Sequence, residues 1–302
     1  MSPVAGILLV LSAVTHAGWN FISKKHHPTL AFYLMANNVG VLLVLPILFP
    51  FWDKLSLIPA FVWICLNWSG FFLAAYMAAL AGAYRSGDMS IAYPLARAFP
   101  IIFVTLITMI LGLGKTLSVW FIFGAALIVA GCIIVPIRSH RNLQIRDYMN
   151  LCCLLSVLAA VCISGYTLID NEALACLRNL PGRPFGPVGA TLVYMALEAI
   201  ICSVWKGIWV IASQRERKAF FVVIRDYKMA AAITGIGIYL TYGLVLASMN
   251  YVTNVSYVAA FRQLSIPLGT LMGIVFLKEP PHRAKIFGVL SIFVGLVIVG
   301  LQ

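Results

Sequence analysis

Three charged side chains lie deep inside apolar stretches of this chain. Arg97 stands between two prolines in "GDMSIAYPLARAFP" (87–100), while Arg262 and Glu198 each lie about ten residues into another apolar run. Insertion scales give a cost of about 2.5–3.5 kcal/mol for placing an arginine at the centre of a membrane helix. Such residues therefore face a protein interior or a hydrated cavity. Guanidinium groups bind carboxylate, phosphate or phosphonate through paired hydrogen bonds. We therefore predict that Arg97 and Arg262 bind an anionic group.

Glu198 has two interpretations. It could form an interhelical ion pair with one of the arginines and fix the packing of the helices. It could instead couple transport to protons, because nearby arginines and a bound substrate would alter its protonation. Two arginines against one carboxylate leave positive charge unmatched in either case.

Prolines accompany both arginines. Pro94 and Pro100 flank Arg97, and Pro267 follows Arg262 by five residues. A proline removes one N–H donor and obstructs the carbonyl four residues back, which a membrane helix tolerates beside neighbouring helices or water. We predict that these three prolines are hinges around a cavity. Asp88, at the beginning of the apolar run that contains Arg97, fits a helix cap.

Further polar and aromatic residues complete the predicted substrate site. Ser90 and Tyr93 share the Arg97 face of one helix at spacings of three and four residues. The other members are His16, Trp19, Asn20, Tyr166, Tyr239, Tyr242 and Gln263. Taken singly, each of these also fits interhelical hydrogen bonding or a membrane-interface aromatic belt.

Motifs for catalysis or cofactor binding are missing from the sequence. It contains no CxxC pair, no HExxH, no GxSxG and no Walker A motif. We expect no enzyme activity, no metal and no cofactor, and no direct use of ATP.

Composition indicates the elements that must position these residues. The chain of 302 residues is 62% hydrophobic and only 10% charged, which is typical of a membrane protein. Most of the basic residues behind its net charge of +12 lie in the connections between hydrophobic runs, as in membrane proteins. We therefore expect lipid and a small-molecule substrate as partners, not nucleic acid. About 20 apolar residues span a bilayer. Ten segments fit that length: 3–22, 29–51, 60–83, 88–113, 117–137, 149–169, 188–213, 229–248, 252–277 and 284–301.

The two ends of the chain repeat a pattern. "IFGAALIVAGCIIV" (122–135) matches "IFGVLSIFVGLVIV" (286–299), with glycines 124 and 131 in register with 288 and 295. We expect these glycines to let their helices pack closely against a neighbour. "AVTHAGWNFI" (13–22) similarly resembles "AVCISGYTLI" (160–169). We predict a first five-helix repeat over 1–140, a linker over 141–148 and a second repeat over 149–302. An odd number of spans per repeat gives opposite orientations, with a substrate site near the midplane between the halves.

These features resemble the EamA-type branch of the drug/metabolite transporter superfamily. The resemblance rests on the ten predicted spans, "HAGWNFISK", "GDMSIAYPLARAFP" and the GxxxIxxG stretches near the end of each half. It implies an all-α integral membrane fold, ten transmembrane helices as two inverted five-helix repeats around a central cavity. It also implies transport of a small metabolite or amino acid, often by export.

The expected function is secondary transport of a small polar metabolite with an anionic group, such as an amino acid, organic acid or phosphonate, with protons as a possible second partner. Two alternatives remain open: a flippase for an anionic lipid phosphate and an exporter of lipophilic cations. We expect a multi-pass protein of the cell membrane, the inner membrane in a bacterium. The positive-inside rule favours both termini outside, with fourteen basic loop residues inside against four outside (Lys54, Lys115, Arg178 and Arg183).

Overall fold

A computed structural model describes residues 3–110, 118–137, 149–249 and 263–301, and every regular element in these ranges is helical. The α-helices are α1 Pro3–Lys25, α2 Leu30–Val44, α3 Ala60–Ser86, α4 Met89–Ile110, α5 Val119–Ile134, α6 Leu151–Arg178, α7 Gly186–Ala212, α8 Gln214–Val222, α9 Lys228–Met249, α10 Ser265–Phe276 and α11 Arg283–Gly300. A 3₁₀ segment, Leu45–Leu57, follows α2, and a π-helical turn, Val223–Tyr227, joins α8 to α9.

Seven helical stretches in the described ranges are long and apolar enough to cross a membrane. They are Pro3–Lys25, Leu30–Leu57, Ala60–Ser86, Leu151–Arg178, Val188–Ala212, Gln214–Val245 and Arg283–Gly300. Three shorter apolar helices are Met89–Val104, Val119–Ile134 and Ser265–Phe276. The chain is thus all-α and of multi-pass membrane type. Ten spans in two inverted repeats remain a prediction, and residues 252–262 of the ninth predicted span lie outside the described residues.

Several helix ends differ from the predicted spans. The sixth helix ends at Arg178 instead of 169, because polar residues that fit a loop by composition also fit further helical turns. The connection 214–228 is helical: the Ser213 side chain accepts a hydrogen bond from the Glu216 N–H at 3.4 Å and caps α8. The second predicted span changes character after Val44, where Pro46 and Pro50 each remove an N–H donor.

The chain divides into two compact units, and each draws segments from both predicted repeats. Unit 1 comprises Met1–Pro28, Ala79–Val161 and Gly237–Gln302. Unit 2 comprises Thr29–Ala78 and Cys162–Ile236. In unit 2, Asn37 joins α2 to α7 by donating to the Ala199 carbonyl at 2.9 Å and to the Ser203 hydroxyl at 2.5 Å.

In unit 1, α5 and α11 pack antiparallel along their repeated glycines. A Cβ atom at Gly124 would lie 2.8 Å from the Gly295 carbonyl oxygen, and one at Gly131 would lie 2.5 Å from that of Gly288. The reverse contacts are equally close, at 2.5 Å from Gly295 to Gly124 and 2.9 Å from Gly288 to Gly131. Small residues let helix backbones approach in this way, as the sequence predicts. Each of these two helices therefore offers the other the same surface, as in a two-fold symmetric contact.

Candidate functional site

A buried charged network surrounds the beginning of α4. The Glu279 carboxylate accepts hydrogen bonds from the N–H groups of Met89 at 2.7 Å and Ser90 at 2.9 Å. Lys285, 1% exposed, donates to the Ser90 hydroxyl at 2.7 Å and to Asp88 at 3.2 Å. An anion at a helix N-terminus is stabilised by the helix dipole. Glu279 thus binds the free N–H groups of α4, while the Asp88 side chain pairs with Lys285.

A chain of hydrogen bonds links α1 to α3 and α4 within unit 1. His16 Nδ1 and the Tyr93 hydroxyl share a hydrogen bond of 2.7 Å. Asn20 donates to the His16 carbonyl at 2.9 Å and accepts from the Tyr84 hydroxyl at 2.8 Å. Asn20, Tyr84 and Tyr93 are at most 1% exposed, so these bonds form in a desolvated interior where they fix the side chains.

The aromatic rings beside this chain are enclosed by glycines of two other helices. The centre of the Trp19 ring lies 5.0 Å from that of His16. A Cβ atom at Gly237 of α9 would lie 3.1 Å from Trp19 Cβ, and one at Gly269 of α10 would lie 2.7 Å from the Tyr93 ring. A side chain at Gly269 would therefore displace the Tyr93 ring, and one at Gly237 would require a small shift of Trp19.

Helix register places Arg97 one turn beyond His16 and Tyr93. Helix α10 runs antiparallel to α4, because Gly273 lies beside Ser90 and Gly269 lies beside Tyr93. Four residues along α4 from Tyr93 is Arg97, and four residues back from Gly269 is Ser265. The two therefore share a level, about 6 Å from that of Tyr93.

Helices α1 and α9 reach the same level. Four residues back from His16 is Ser12, whose hydroxyl donates to the Thr241 carbonyl of α9 at 3.0 Å. Tyr239 and Tyr242, both half-buried, flank Thr241 on α9. We call Arg97, His16, Trp19, Tyr93 and Ser265 the Arg97 site.

Several buried polar atoms of this region have no hydrogen-bond partner among the described residues. They are Arg97 Nε, Trp19 Nε1, Gln263 Oε1, Ser265 Oγ and Thr270 Oγ1. A buried unsatisfied donor or acceptor costs about 1–3 kcal/mol. Polar atoms of a ligand or of water would satisfy this set.

Unit 2 contains a different polar cluster. The fully buried Ser69 hydroxyl lies 2.5 Å from Asp170 Oδ1 and 2.7 Å from Glu198 Oε1, and the Tyr194 hydroxyl donates to Asp170 at 2.7 Å. A hydroxyl group carries one hydrogen, so Ser69 can donate to only one of the two carboxyl groups. The other contact requires a hydrogen on a carboxyl group. We call the carboxyl groups of Asp170 and Glu198, together with the Ser69 hydroxyl between them, the Ser69 carboxyl pair.

The structure distributes the predicted site residues over both units. Unit 1 contains His16, Trp19, Asn20, Ser90, Tyr93, Arg97, Tyr239, Tyr242 and Gln263. Unit 2 contains Glu198, bonded to Ser69, and Tyr166, whose ring centre lies 6.4 Å from that of Tyr76. Arg262 lies outside the described residues. Ser90 belongs to the charged network at the beginning of α4.

The three predicted hinge prolines occupy unlike positions. Helix α4 continues through Pro94 and Pro100, so the carbonyls of Ser90 and Ala96 lack their usual N–H partners. Pro267 lies in the first turn of α10, which begins at Ser265. Proline is tolerated there because the first N–H groups of a helix have no intrahelical partner.

Sequence analysis did not identify several residues that the structure brings into these clusters. They are Ser69, Asp170, Glu279 and Lys285, and Lys206, whose charge interacts with that of Glu198, was missed as well. Asp170 follows the predicted end of the sixth span by one residue, so a longer helix would have revealed it. Lys206 is 1% exposed in α7, two turns after Glu198, and its position inside an apolar run was a usable signal. In the described ranges, no three His, Cys, Asp or Glu side chains come together as metal ligands.

Comparison with protein-family models and with curated proteins found no match. One solved crystal structure is similar at 15% sequence identity, covering 98% of this chain and 95% of that chain with a TM-score of 0.46. A likeness at this level identifies neither a family nor an activity.

Proposed function

We propose that this protein is a secondary transporter, an exporter or exchanger, for a small polar metabolite bearing an anionic group, and that it works by alternating access. The supporting observation is Arg97, a charged residue in an apolar helix whose Nε is buried without a hydrogen-bond partner among the described residues. Such a guanidinium group can bind a carboxylate or phosphonate through two hydrogen bonds. The adjacent rings of His16, Trp19 and Tyr93 would contact the rest of the substrate.

The EamA-type resemblance supports the same proposal. It would place the Arg97 site in an inverted-repeat transporter, in which substrates bind near the membrane midplane. The reciprocal packing of α5 against α11 is compatible with two halves related in that way. Neither observation specifies a substrate.

A ligand screen on the purified chain in lipid nanodiscs tests this function. Amino acids, organic acids, phosphonates and quaternary ammonium compounds are tested for an increase in melting temperature, because a ligand that prefers the folded state stabilises it. We expect stabilisation by anionic compounds, and we expect Arg97→Gln to abolish it. Arg225→Gln is the matched control, since Arg225 is exposed and paired with Asp226. Anion binding that survives in Arg97→Gln would place the site elsewhere.

The Ser69 carboxyl pair supports a proton-coupled mechanism. Two carboxyl groups that share one hydroxyl cannot both be ionised without opposing negative charges at short distance. Release of a proton from this pair would therefore change the packing of α3, α6 and α7. These helices carry Ser69, Asp170 and Glu198, respectively.

The same pair favours a second candidate function, export of lipophilic cations. A cation could replace the shared proton between Asp170 and Glu198, near the rings of Tyr76 and Tyr166. In the ligand screen, stabilisation by quaternary ammonium compounds alone, lost in Glu198→Gln but not in Arg97→Gln, would select this function over anion transport.

A further inference from the structure

Carboxylate groups are scarce in the unit that contains Arg97. The chain has nine acidic residues, and unit 1 includes only Asp88, Asp147 and Glu279. Asp147 lies outside the described residues, in the predicted linker between the repeats.

Both described carboxylates of unit 1 already have partners. Asp88 pairs with Lys285 at 3.2 Å, and the two oxygens of Glu279 accept the N–H groups of Met89 and Ser90. These contacts lie at the beginning of α4. Arg97 is eight residues beyond Met89, or about 12 Å along the helix. No described carboxylate of unit 1 is therefore placed to balance the charge of Arg97.

The unpartnered buried atoms on the helices around Arg97 belong, Arg97 itself aside, to neutral groups. The unpartnered atoms belong to an indole N–H, two hydroxyl groups and one amide oxygen, in Trp19, Ser265, Thr270 and Gln263. Such groups can satisfy a carboxylate, a hydroxyl or a carbonyl group of a ligand. An ammonium group would lose its hydration without gaining a carboxylate, and Arg97 would repel it.

From this charge inventory we infer that the substrate is a net anion without an ammonium group. Carboxylates such as hydroxy acids and dicarboxylates, and unsubstituted phosphonates, fit the Arg97 site. Zwitterionic amino acids and aminophosphonates do not. This inference rests on the proposed function and selects one substrate class within it.

Pairs of ligands that differ at one position, where only the second member carries an amino group, test the inference on the wild-type chain. Lactate is compared with alanine, succinate with aspartate, and ethylphosphonate with 2-aminoethylphosphonate, by thermal stabilisation in nanodiscs. We expect half-maximal stabilisation by the amino compound to require a concentration at least about tenfold higher in every pair. Equal stabilisation by both members would overturn the inference while leaving the proposed function intact. If no compound of either kind stabilises the protein, the proposed function fails, and the inference fails with it.

A matched pair of variants at Ser265 tests whether a carboxylate beside Arg97 would prevent the binding of an anionic ligand. Ser265→Asp and Ser265→Asn insert side chains of the same shape at the level of Arg97, but only the aspartate supplies an internal counter-ion. We expect half-maximal stabilisation by lactate to require a concentration at least about tenfold higher in the Asp variant than in the Asn variant. Equal lactate stabilisation of two folded variants, checked by circular dichroism and gel filtration, would contradict the inference.

Discussion

The role of a single buried residue in this protein depends on its hydrogen-bond partners, and Ser69 is the clearest example. Its hydroxyl lies within hydrogen-bond distance of Asp170 and Glu198, so the hydrogens available decide which carboxyl group is ionised. Arg97 was identifiable from the sequence because a charge between prolines in an apolar run is rare. Ser69 and Asp170 were not, because a serine in an apolar helix and an aspartate near a helix end are both ordinary.

Glu198→Gln tests the role of the Ser69 carboxyl pair. The amide keeps the shape of the side chain and brings its own hydrogens, so Asp170 can remain ionised. We expect the free energy of unfolding to stay within about 1 kcal/mol of wild type, the typical net contribution of one hydrogen bond. Substrate transport driven by a pH gradient in proteoliposomes should be lost, because no proton is released at this position.

Glu172→Gln is the control, since Glu172 lies exposed on α6, two residues after Asp170. Proton-driven transport at the wild-type rate in Glu198→Gln would show that coupling does not involve Glu198.

At the scale of elements, the beginning of α4 depends on a residue distant in sequence. Glu279 accepts the first two N–H groups of the helix, and Lys285 connects Asp88 to the Ser90 hydroxyl. Sequence patterns predicted the helix from its hydrophobicity. They could not predict the cap, because a glutamate in a polar connection has the same appearance whether it is solvated or buried against another helix.

Glu279→Gln should weaken this junction. The neutral amide cannot supply two anionic acceptors, so the N–H groups of Met89 and Ser90 lose part of their stabilisation. We expect a loss of about 1–2 kcal/mol of stability, as for removal of a helix cap, measured as a lower melting temperature in nanodiscs. Asp53→Asn, at an exposed position of the 3₁₀ segment, is the control. A decrease no larger than that of the control would refute a capping role for Glu279.

The α5–α11 contact predicts matching effects at residues from opposite halves. Alanine at Gly131 or at Gly288 adds a methyl group that would lie within 3 Å of the facing backbone. We expect each to destabilise the protein by about 1–3 kcal/mol, as is typical of overpacking. The double variant should cost less than the sum, because both methyl groups separate the same two helices.

Gly18→Ala is the control for this pair, since nothing lies within 4 Å of a Cβ atom there. Thermal unfolding of the four variants decides the matter. A large effect at one glycine with none at the other would show that the contact is not reciprocal.

At the scale of the whole molecule, the sequence predicted which segments are apolar enough to lie in lipid. It did not predict which of these helices pack against each other. Hydrophobic length predicted the seven long apolar stretches because the hydrocarbon thickness of a bilayer sets that length, while three further apolar helices in the described ranges are shorter than a span. The repeated glycines predicted close packing but not the partner, and the structure pairs α5 with α11. The two compact units interleave segments of both halves, an arrangement that depends on contacts distant in sequence.

The orientation of the chain can be argued from unit 1 without counting spans. Lys24, at the end of α1, donates to the Gly87 carbonyl at 2.7 Å, and Lys285, at the beginning of α11, pairs with Asp88. The end of α1 and the beginning of α11 therefore lie at the same end of the unit, next to the α3–α4 junction. The basic residues gathered there are Lys24, Lys25, Arg85, Lys278, Arg283 and Lys285.

The positive-inside rule then makes this end cytoplasmic. Since α1 runs toward it and α11 runs away from it, both termini are expected on the opposite, external side. An alkaline phosphatase fused after the last residue should be active, because that enzyme requires an oxidising compartment, and a green fluorescent protein at the same point should be dark after export. The control fusion, after Arg85 in the last turn of α3, should give the reverse result. A fluorescent carboxy-terminal fusion with an inactive phosphatase would place the basic end outside and reverse the direction of transport inferred from any one-sided assay.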